Sequence, residues 1–344
     1  MKGQEIILGQ INGREAAARL IDGQLDDLLV DTDAPIPGTI YRAIADRPVK
    51  GQGGMFLRTP DGTAFLRQVK GLAPGDALLV QVTGYAEVGK AIPVTTRILF
   101  KSRYVIVTPD APGLNISRQI KDEDRREALL LALHEAGLAG DGAQMGVILR
   151  SSCAGADLDA VIADLEAQLE LATQVMADTD GGAELLLAGD GPHDYAWREW
   201  SDPAQITQDD RAFDRPDLQD ALADAFDDTL RLPGAGALHI EPTRALVAVD
   251  VNTGADTSPA AGLKANLAAA RALPRVLRLR GLGGQIVIDP APMPKKDRRQ
   301  FETVLRAALR GDLIETNMVG WTTMGLFELQ RARARAPMTA GMLR

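Results

Sequence analysis

Residues 236–252 read GALHIEPTRALVAVDVN, and residues 284–289 read GQIVID. Each is a β-branched, apolar run that reaches an aspartate at its end: Asp250 in the first, Asp289 in the second. Between them, Leu263 to Arg280 is patterned as a helix and is closed by Gly281 and the pair Gly283-Gly284, glycine being a common helix terminator. Strand, crossover helix, strand predicts two parallel strands side by side. Neighbouring strands lie about 4.8 Å apart, so the two carboxylates emerge close together, at the strand ends where sheets of this kind place their ligands. Asn252, two residues past Asp250, falls on the same face by the period of two. Two carboxylates and an amide oxygen on one rim are a hard-oxygen donor set, the kind that holds magnesium through one or two carboxylates and retained waters. A metal there polarises a phosphate ester and lowers the pKa of an attacking water. The plain alternative is that both aspartates only start a turn and cap the next helix.

Charge supports a polyanion near this unit. The whole chain of 344 residues carries a formal charge of −9, which by itself argues against nucleic acid. The distribution is uneven. Residues 154–230 hold 20 acidic against 3 basic side chains, whereas residues 261–310 hold 11 basic against 3 acidic. The first block reads as a solvated acidic surface and the second as a docking place for a phosphate chain, with Lys264, Arg275, Arg278 and Arg280 as candidate backbone contacts.

Other chemistries are disfavoured. One cysteine, Cys153, allows neither an intrachain disulfide nor a cysteine-based zinc site within one chain, and the three histidines, His134, His193 and His239, show no metal-ligand spacing. No zinc is therefore expected. Hydrophobic residues make up 45% of the chain and charged residues 25%, which is ordinary for a globular protein. No run approaches the roughly 20 apolar residues of a membrane helix, and the first residues lack a signal-peptide core, so a cytoplasmic location with no membrane partner is expected.

Outward from the aspartates, the length predicts two or three domains in an α/β multidomain chain. Residues 1–35 read as short strands and a turn, broken by Pro35 and Pro37. Residues 38–100 alternate in short runs separated by Gly and Asp-Gly, which suggests a small barrel or sandwich. Phe56 and Phe65 fall in neighbouring runs and serve either as core or as a base-stacking platform. A helix is marked over 122–137, with Asp122, Glu123 and Asp124 at its start and Gly137 at its stop. A second amphipathic helix covers 154–178. The tail from Arg331 reads as a fraying helix end.

The segment ALVAVDVNTG…NLAAARALPRVLRLRGLGGQIVIDP resembles the catalytic signature of the ribonuclease E/G family, which cleaves single-stranded RNA: an apolar strand ending D-x-N, a helix ending in an LRLR-x-LGG-like stretch, and an apolar strand ending in Asp. The resemblance implies that Asp250 and Asp289 bind Mg²⁺, with Mn²⁺ as the alternative, and that Asn252 supports the metal or the attacking water. It extends upstream. Residues 36–100 resemble an S1-like RNA-binding barrel inserted in a trimmed RNase H-like domain, formed by residues 1–35 and about 183–222. There Phe56, Phe65 and Lys90 take the RNA-binding positions. Residues 101–182 resemble a 5′-sensor region, in which Arg150 and Ser151 match the pair that grips a 5′-monophosphate. Residues 223–344 resemble a DNase I-like catalytic domain.

The chain also departs from the family. It has only Cys153 where the family uses a Cys-Pro-x-Cys zinc link to join protomers, so no zinc-linked dimer is expected. The stretch 152–230 is shorter, and Trp321, Thr322 and Thr323 stand where a basic or aromatic residue is more usual. The reading that follows is a Mg²⁺-dependent endoribonuclease acting on single-stranded RNA. The alternatives are an RNA-binding protein that keeps the fold without cutting, and an unrelated α/β metal hydrolase of small phosphate esters.

Overall fold

The computed structural model describes residues 3–49, 53–68, 71–138, 145–234 and 236–343. The chain divides into two compact units, one of residues 1–32 and 204–344, the other of residues 33–203. The architecture is mixed α/β and includes a closed five-stranded barrel.

The first unit opens with a meander: β1 (Gln4–Ile11), β2 (Arg14–Ile21) and β3 (Gln24–Val30), antiparallel neighbours in order. Two-residue turns join them, and both carry an Asn-Gly or Asp-Gly pair at positive φ (Asn12 52°, Gly13 75°; Asp22 51°, Gly23 81°). This chemistry suits the twist of a tight hairpin.

In the second unit, β4 (Ile40–Val49), β5 (Gly54–Thr59), β6 (Gly62–Leu66), β7 (Ala77–Val82) and β8 (Ile92–Thr95) pair in the order β4-β5-β6-β8-β7, and β7 returns to β4 to close the barrel. All pairs are antiparallel except β6 with β8. Alternate residues fill the lumen, among them Tyr41, Ala43, Met55, Leu57, Ala64, Leu66, Val80 and Val94. The residues between them face outward, as the period of two requires.

Beyond the barrel lies a small sheet of β9 (Phe100–Lys101), β10 (Val105–Thr108), β11 (Leu114–Ile116) and, after α1 (Glu123–Glu135), β12 (Gly146–Leu149). Asp122 caps α1 by accepting the Arg125 N–H, and Gly137 at φ 71° follows its end. Helix α2 (Leu158–Ala177), capped by Asp157, covers the sheet with Val161, Leu165, Ala172 and Val175. Then β13 (Glu184–Leu187) pairs with β4, and α3 (Pro192–Glu199) ends the unit. Residues 183–203 thus stay with the second unit, and the return to the first begins at Ala204.

The returning chain lays β14 (Gln205–Gln208) parallel to β1 and packs α4 (Pro216–Phe226) on the meander through Leu218, Leu222 and Phe226. The remainder builds a six-stranded sheet in the order β15-β16-β17-β18-β20-β19. Its elements are β15 (Thr229–Arg231), β16 (Ala237–Pro242), β17 (Val247–Asn252), α5 (Ala261–Leu279), β18 (Gly284–Asp289), α6 (Arg298–Arg310), β19 (Thr316–Trp321) and β20 (Phe327–Arg331). The run 236–252 is therefore a hairpin rather than one strand. Its turn is fixed by Thr243, whose N–H and hydroxyl both donate to the Leu246 carbonyl. The crossover helix is where the sequence predicts it, and β17 and β18 are parallel.

The tail corrects an expectation. Residues 331–343 are not a fraying helix end: Arg331 ends β20, and the segment beyond it, irregular apart from a short 3-10 turn over Ala340–Met342, docks through the Met338 N–H to the Arg280 carbonyl and through Arg335 to Asp27.

Candidate functional site

Strands β17 and β18 are in register with Asp250 directly opposite Asp289. Residues paired across a sheet share a face, and the alternation is clean. Val249, Val251, Ile286 and Ile288 are buried beneath the helices, while Asp250, Asn252 and Asp289 are exposed. The two carboxylates therefore stand on adjacent strands about 4.8 Å apart, open to water. Asn252 Nδ2 donates to Asp250 Oδ2 at 2.8 Å, which orients that carboxylate. On the other side of Asp250, His239 is its partner across the β16–β17 hairpin, with Nδ1 3.3 Å from the Thr229 hydroxyl.

Hard oxygen donors dominate this rim. Among the described residues no group of three or more His, Cys, Asp or Glu side chains is arranged to hold a metal, so the site offers no all-protein cage of the structural-zinc kind. Two in-register carboxylates beside water fit a magnesium-like ion that keeps several waters.

A residue absent from the sequence reading fixes the loop after Asp289. Asn266 of α5 is fully buried, and its amide bonds Ala291 in both directions: Nδ2 donates to the carbonyl at 2.8 Å and Oδ1 accepts from the N–H at 2.9 Å. One turn earlier, Gly262 lies so close that a Cβ on it would meet the Pro292 carbonyl oxygen at 1.9 Å. Replacing Asn266 by Leu strands both polar groups of Ala291, at a cost of about 1–3 kcal/mol for each unsatisfied buried group. The expected result is a lower unfolding midpoint together with a lost pre-set position for the Asp289 loop, checked by denaturant titration beside any assay of the site. The buried asparagine had no distinguishing mark in a helix rich in alanine.

The basic run of α5 separates into two kinds of side chain. Lys264 is exposed, 3.7 Å from Asp256, with its ammonium open to solvent. Arg278 and Arg280 are not open to solvent. Arg278 is buried against Asp26, Asp27 and Asp312, and Arg280 is buried with its guanidinium on the Ala225 and Asp227 carbonyls. Arg275 is half-buried and donates to the Leu25 carbonyl at 2.8 Å. These arginines join α5 to the meander and to α4, because a guanidinium removed from water needs its donors satisfied.

On the barrel, Phe56 and Phe65 are cross-strand partners with ring centroids 5.3 Å apart, and both lie outside the lumen, partly exposed. The pair is thus an external aromatic surface rather than core. Arg47 lies over Phe56 at 4.9 Å. Gly54 makes room for Phe65, since a Cβ there would touch that ring at 2.4 Å. Lys90 is exposed and pairs with Glu87 at 2.7 Å.

Arg150 is held by its own unit. Its guanidinium donates to the carbonyls of Ser102, Arg103 and Arg198 and, at 2.6 Å, to Glu199. Ser151 beside it is exposed. Glu199 also takes Lys101 at 2.6 Å and Arg198 at 2.8 Å. Burial raises the Glu199 carboxyl, but Lys101, Arg150 and Arg198 outweigh burial and hold it down at about 2. A carboxyl depressed in the folded state contributes stability above its ordinary value of 4.5 and loses it as the pH falls toward 2. Thermal unfolding should therefore show Glu199→Gln well below the wild type at neutral pH, with the gap closing through that acid window. A gap of constant size would refute the pairing.

The sequence profile described as the Ribonuclease E/G family matches residues 100–202 and 195–334. The chain is 28% identical to a protein named Ribonuclease E of Nostoc sp. (strain PCC 7120 / SAG 25.82 / UTEX 2576), over 93% of this chain and 54% of that protein. It is 26% identical to Ribonuclease G of Escherichia coli (strain K12), over 96% of this chain and 80% of that protein. It is 30% identical to Ribonuclease E of the same strain, over 76% of this chain and 28% of that much longer protein. The chain thus spans about half the length of the Nostoc relative.

Proposed function

The chain belongs to the ribonuclease E/G family, and on that premise we propose that it is a Mg²⁺-dependent endoribonuclease acting on single-stranded RNA. The observation that carries this reading is the register of Asp250 against Asp289, two exposed carboxylates on adjacent parallel strands with Asn252 bonded to the first. Asp250 and Asp289 are the residues to hold the ion, with Mn²⁺ as the alternative; bound there, it supplies Lewis-acid polarisation of a phosphodiester oxygen and acidifies a bound water. Asn252 fixes the Asp250 carboxylate. Lys264 neutralises a backbone phosphate.

In the same reading the barrel is S1-like, and Phe56, Phe65 and Lys90 form its RNA face, where bases stack on exposed rings. The meander with β14 and α4 is the trimmed RNase H-like part, the small sheet with α1 and α2 the 5′-sensor region, and the six-stranded sheet with α5 and α6 the DNase I-like part. Arg150 and Ser151 are the sensor positions, with Glu199 on the Arg150 guanidinium in place of a phosphate.

The test is cleavage of a short AU-rich single-stranded RNA in Mg²⁺ and in EDTA, with 5′-monophosphate and 5′-hydroxyl ends. Cutting that needs the divalent ion supports the reading. Tight, salt-sensitive binding without cutting replaces it with the alternative suggested by the shortened middle, an RNA-binding protein that keeps the fold.

A further inference from the structure

Four cations lie within five residues at the start of α6: Lys295, Lys296, Arg298 and Arg299, with only Asp297 among them. None makes an ion pair or a side-chain hydrogen bond among the described residues, and Lys295, Lys296 and Arg299 are exposed. The arginines of α5 and β20 are different, since Arg278 and Arg331 are buried on carboxylates. Unpaired, clustered guanidinium and ammonium groups in a chain of net charge −9 are a local reversal of sign, and such a reversal attracts an anion.

Arg298 adds shape to charge. Its guanidinium lies 4.2 Å from the centre of the Trp321 ring, and its Nε is buried without a hydrogen-bond partner. The indole beneath it is rigid. Trp321 Nε1 donates to Glu302 at 2.7 Å, and Phe301 and Phe327 pack against the ring at 5.8 and 5.0 Å. Gly325, at φ 92°, leaves space beside the guanidinium, which a Cβ there would approach to 3.2 Å. A planar cation fixed on an aromatic face presents its donor edge in one orientation, the arrangement that suits a phosphate.

The patch also lies near the aspartates. Phe327 pairs with Ile288, the residue before Asp289, and Trp321 pairs with Phe327. Trp321 is therefore two strand spacings, about 10 Å, from the end of β18. Lys295 follows Asp289 by six residues and cannot lie more than about 20 Å from it. The intervening loop is pinned at Ala291 by Asn266 and stiffened by Pro290, Pro292 and Pro294.

We propose that Lys295, Lys296 and Arg298, with Arg298 seated on Trp321, bind consecutive phosphates of the RNA strand that passes the Asp250–Asp289 pair. This rests on the endoribonuclease reading and adds the surface that holds the substrate there. A single-stranded polyanion is the occupant because the cations follow one another along the chain beside a rim of exposed carboxylates, and because the outer face of a stacked guanidinium accepts a base.

The experiment is binding of a fluorescein-labelled single-stranded RNA in EDTA over a series of salt concentrations, followed by cleavage in Mg²⁺. Each phosphate contact on a single strand contributes about 0.7 to the slope of log K against log salt, so Lys295→Ala/Lys296→Ala should reduce that slope by about 1.4. Arg298→Lys should keep the slope and lose affinity, since charge remains and the stacked fork does not. Arg298→Ala should lose both. In cleavage the change should appear in KM rather than kcat. Arg310→Ala, at the other end of the same helix about 18 Å away, is the control and should match the wild type. Wild-type slope and KM in the double lysine variant, in a protein that cuts RNA, would overturn this surface and leave the endoribonuclease reading standing. A wild type that neither binds nor cuts RNA overturns both.

Discussion

Asp289→Asn is expected to slow RNA cleavage by at least about a thousandfold, the rate equivalent of losing several kcal/mol of metal-assisted charge stabilisation at 1.36 kcal/mol per decade. Affinity for RNA in EDTA should stay within about twofold of the wild type, because a surface substitution of this kind perturbs free energies by only about 0.5 kcal/mol. Asp289 is the sharper of the two positions. Its carboxylate is exposed and makes no side-chain bond to the fold among the described residues, so asparagine keeps size and shape and removes only the charge. Asp250 is also held by Asn252, and changing it disturbs both members of that pair. Asn252→Ala should be milder, about 10–100-fold, as expected when a ligand loses its orienting partner. Single-turnover cleavage of one labelled RNA, beside thermal unfolding of each variant, separates these effects. Undiminished cutting by Asp289→Asn would remove the aspartate pair from the chemistry.

That pair was legible because its geometry follows from local order. An apolar run, a helix with a glycine stop and a second apolar run place two strands in parallel with their aspartates near one another; the register itself, Asp250 opposite Asp289 with β17 running two residues further, is set by the fold. Helix α1 was legible for a similar reason, since Asp122 and Gly137 mark its ends within the same short stretch. What stayed hidden depends on distant partners. Gln205–Gln208 offers only two β-branched residues, Ile206 and Thr207, too short a run to mark a strand, and it becomes one by lying along β1, two hundred residues earlier. The break at Pro242-Thr243 in the run 236–252 was outweighed by the β-branched residues on both sides, so a hairpin read as one strand.

Charge misled more than pattern did. Arg278 and Arg280 looked like phosphate contacts because a sequence displays a charge and not its partner. For Arg278 the partners are Asp26 and Asp27, about 250 residues upstream, and Asp312. Arg150, matched by resemblance to a 5′-phosphate position, carries Glu199 on its guanidinium, a partner 49 residues away that its local sequence does not display. Lys295, Lys296, Arg298 and Arg299, which make no ion pair among the described residues, are in the same basic block but lie in the turn before a different helix and in its first residues.

The same buried arginines make the largest stability prediction. Asp312 is 1% exposed and lies 2.6 Å from Arg331 Nη1, whose side chain is fully buried, and it also receives Arg278. Asp27, fully buried, takes Arg335 at 2.9 Å and lies beside Arg278. Five separate pieces of chain meet in this network: β3, the end of α5, the turn after α6 that carries Asp312, the end of β20 and the tail. Removing one partner of a buried pair leaves an uncompensated charge, so Asp312→Ala should destabilise the first unit by about 3–5 kcal/mol, a large share of the roughly 5–15 kcal/mol that holds a domain folded. Replacing the pair together, as Asp312→Leu with Arg331→Met, should recover most of that loss, because apolar side chains of similar volume avoid the desolvation that the ions incur. Urea unfolding with unchanged m values would measure both effects. If Asp312→Ala unfolds within about 1 kcal/mol of the wild type, the range of ordinary substitutions, the network is not what secures α5. The consequence reaches the site, because α5 is the crossover that sets β17 beside β18 and carries Asn266 to the loop after Asp289. An ionic knot at its far end therefore supports the register of two carboxylates that it never touches.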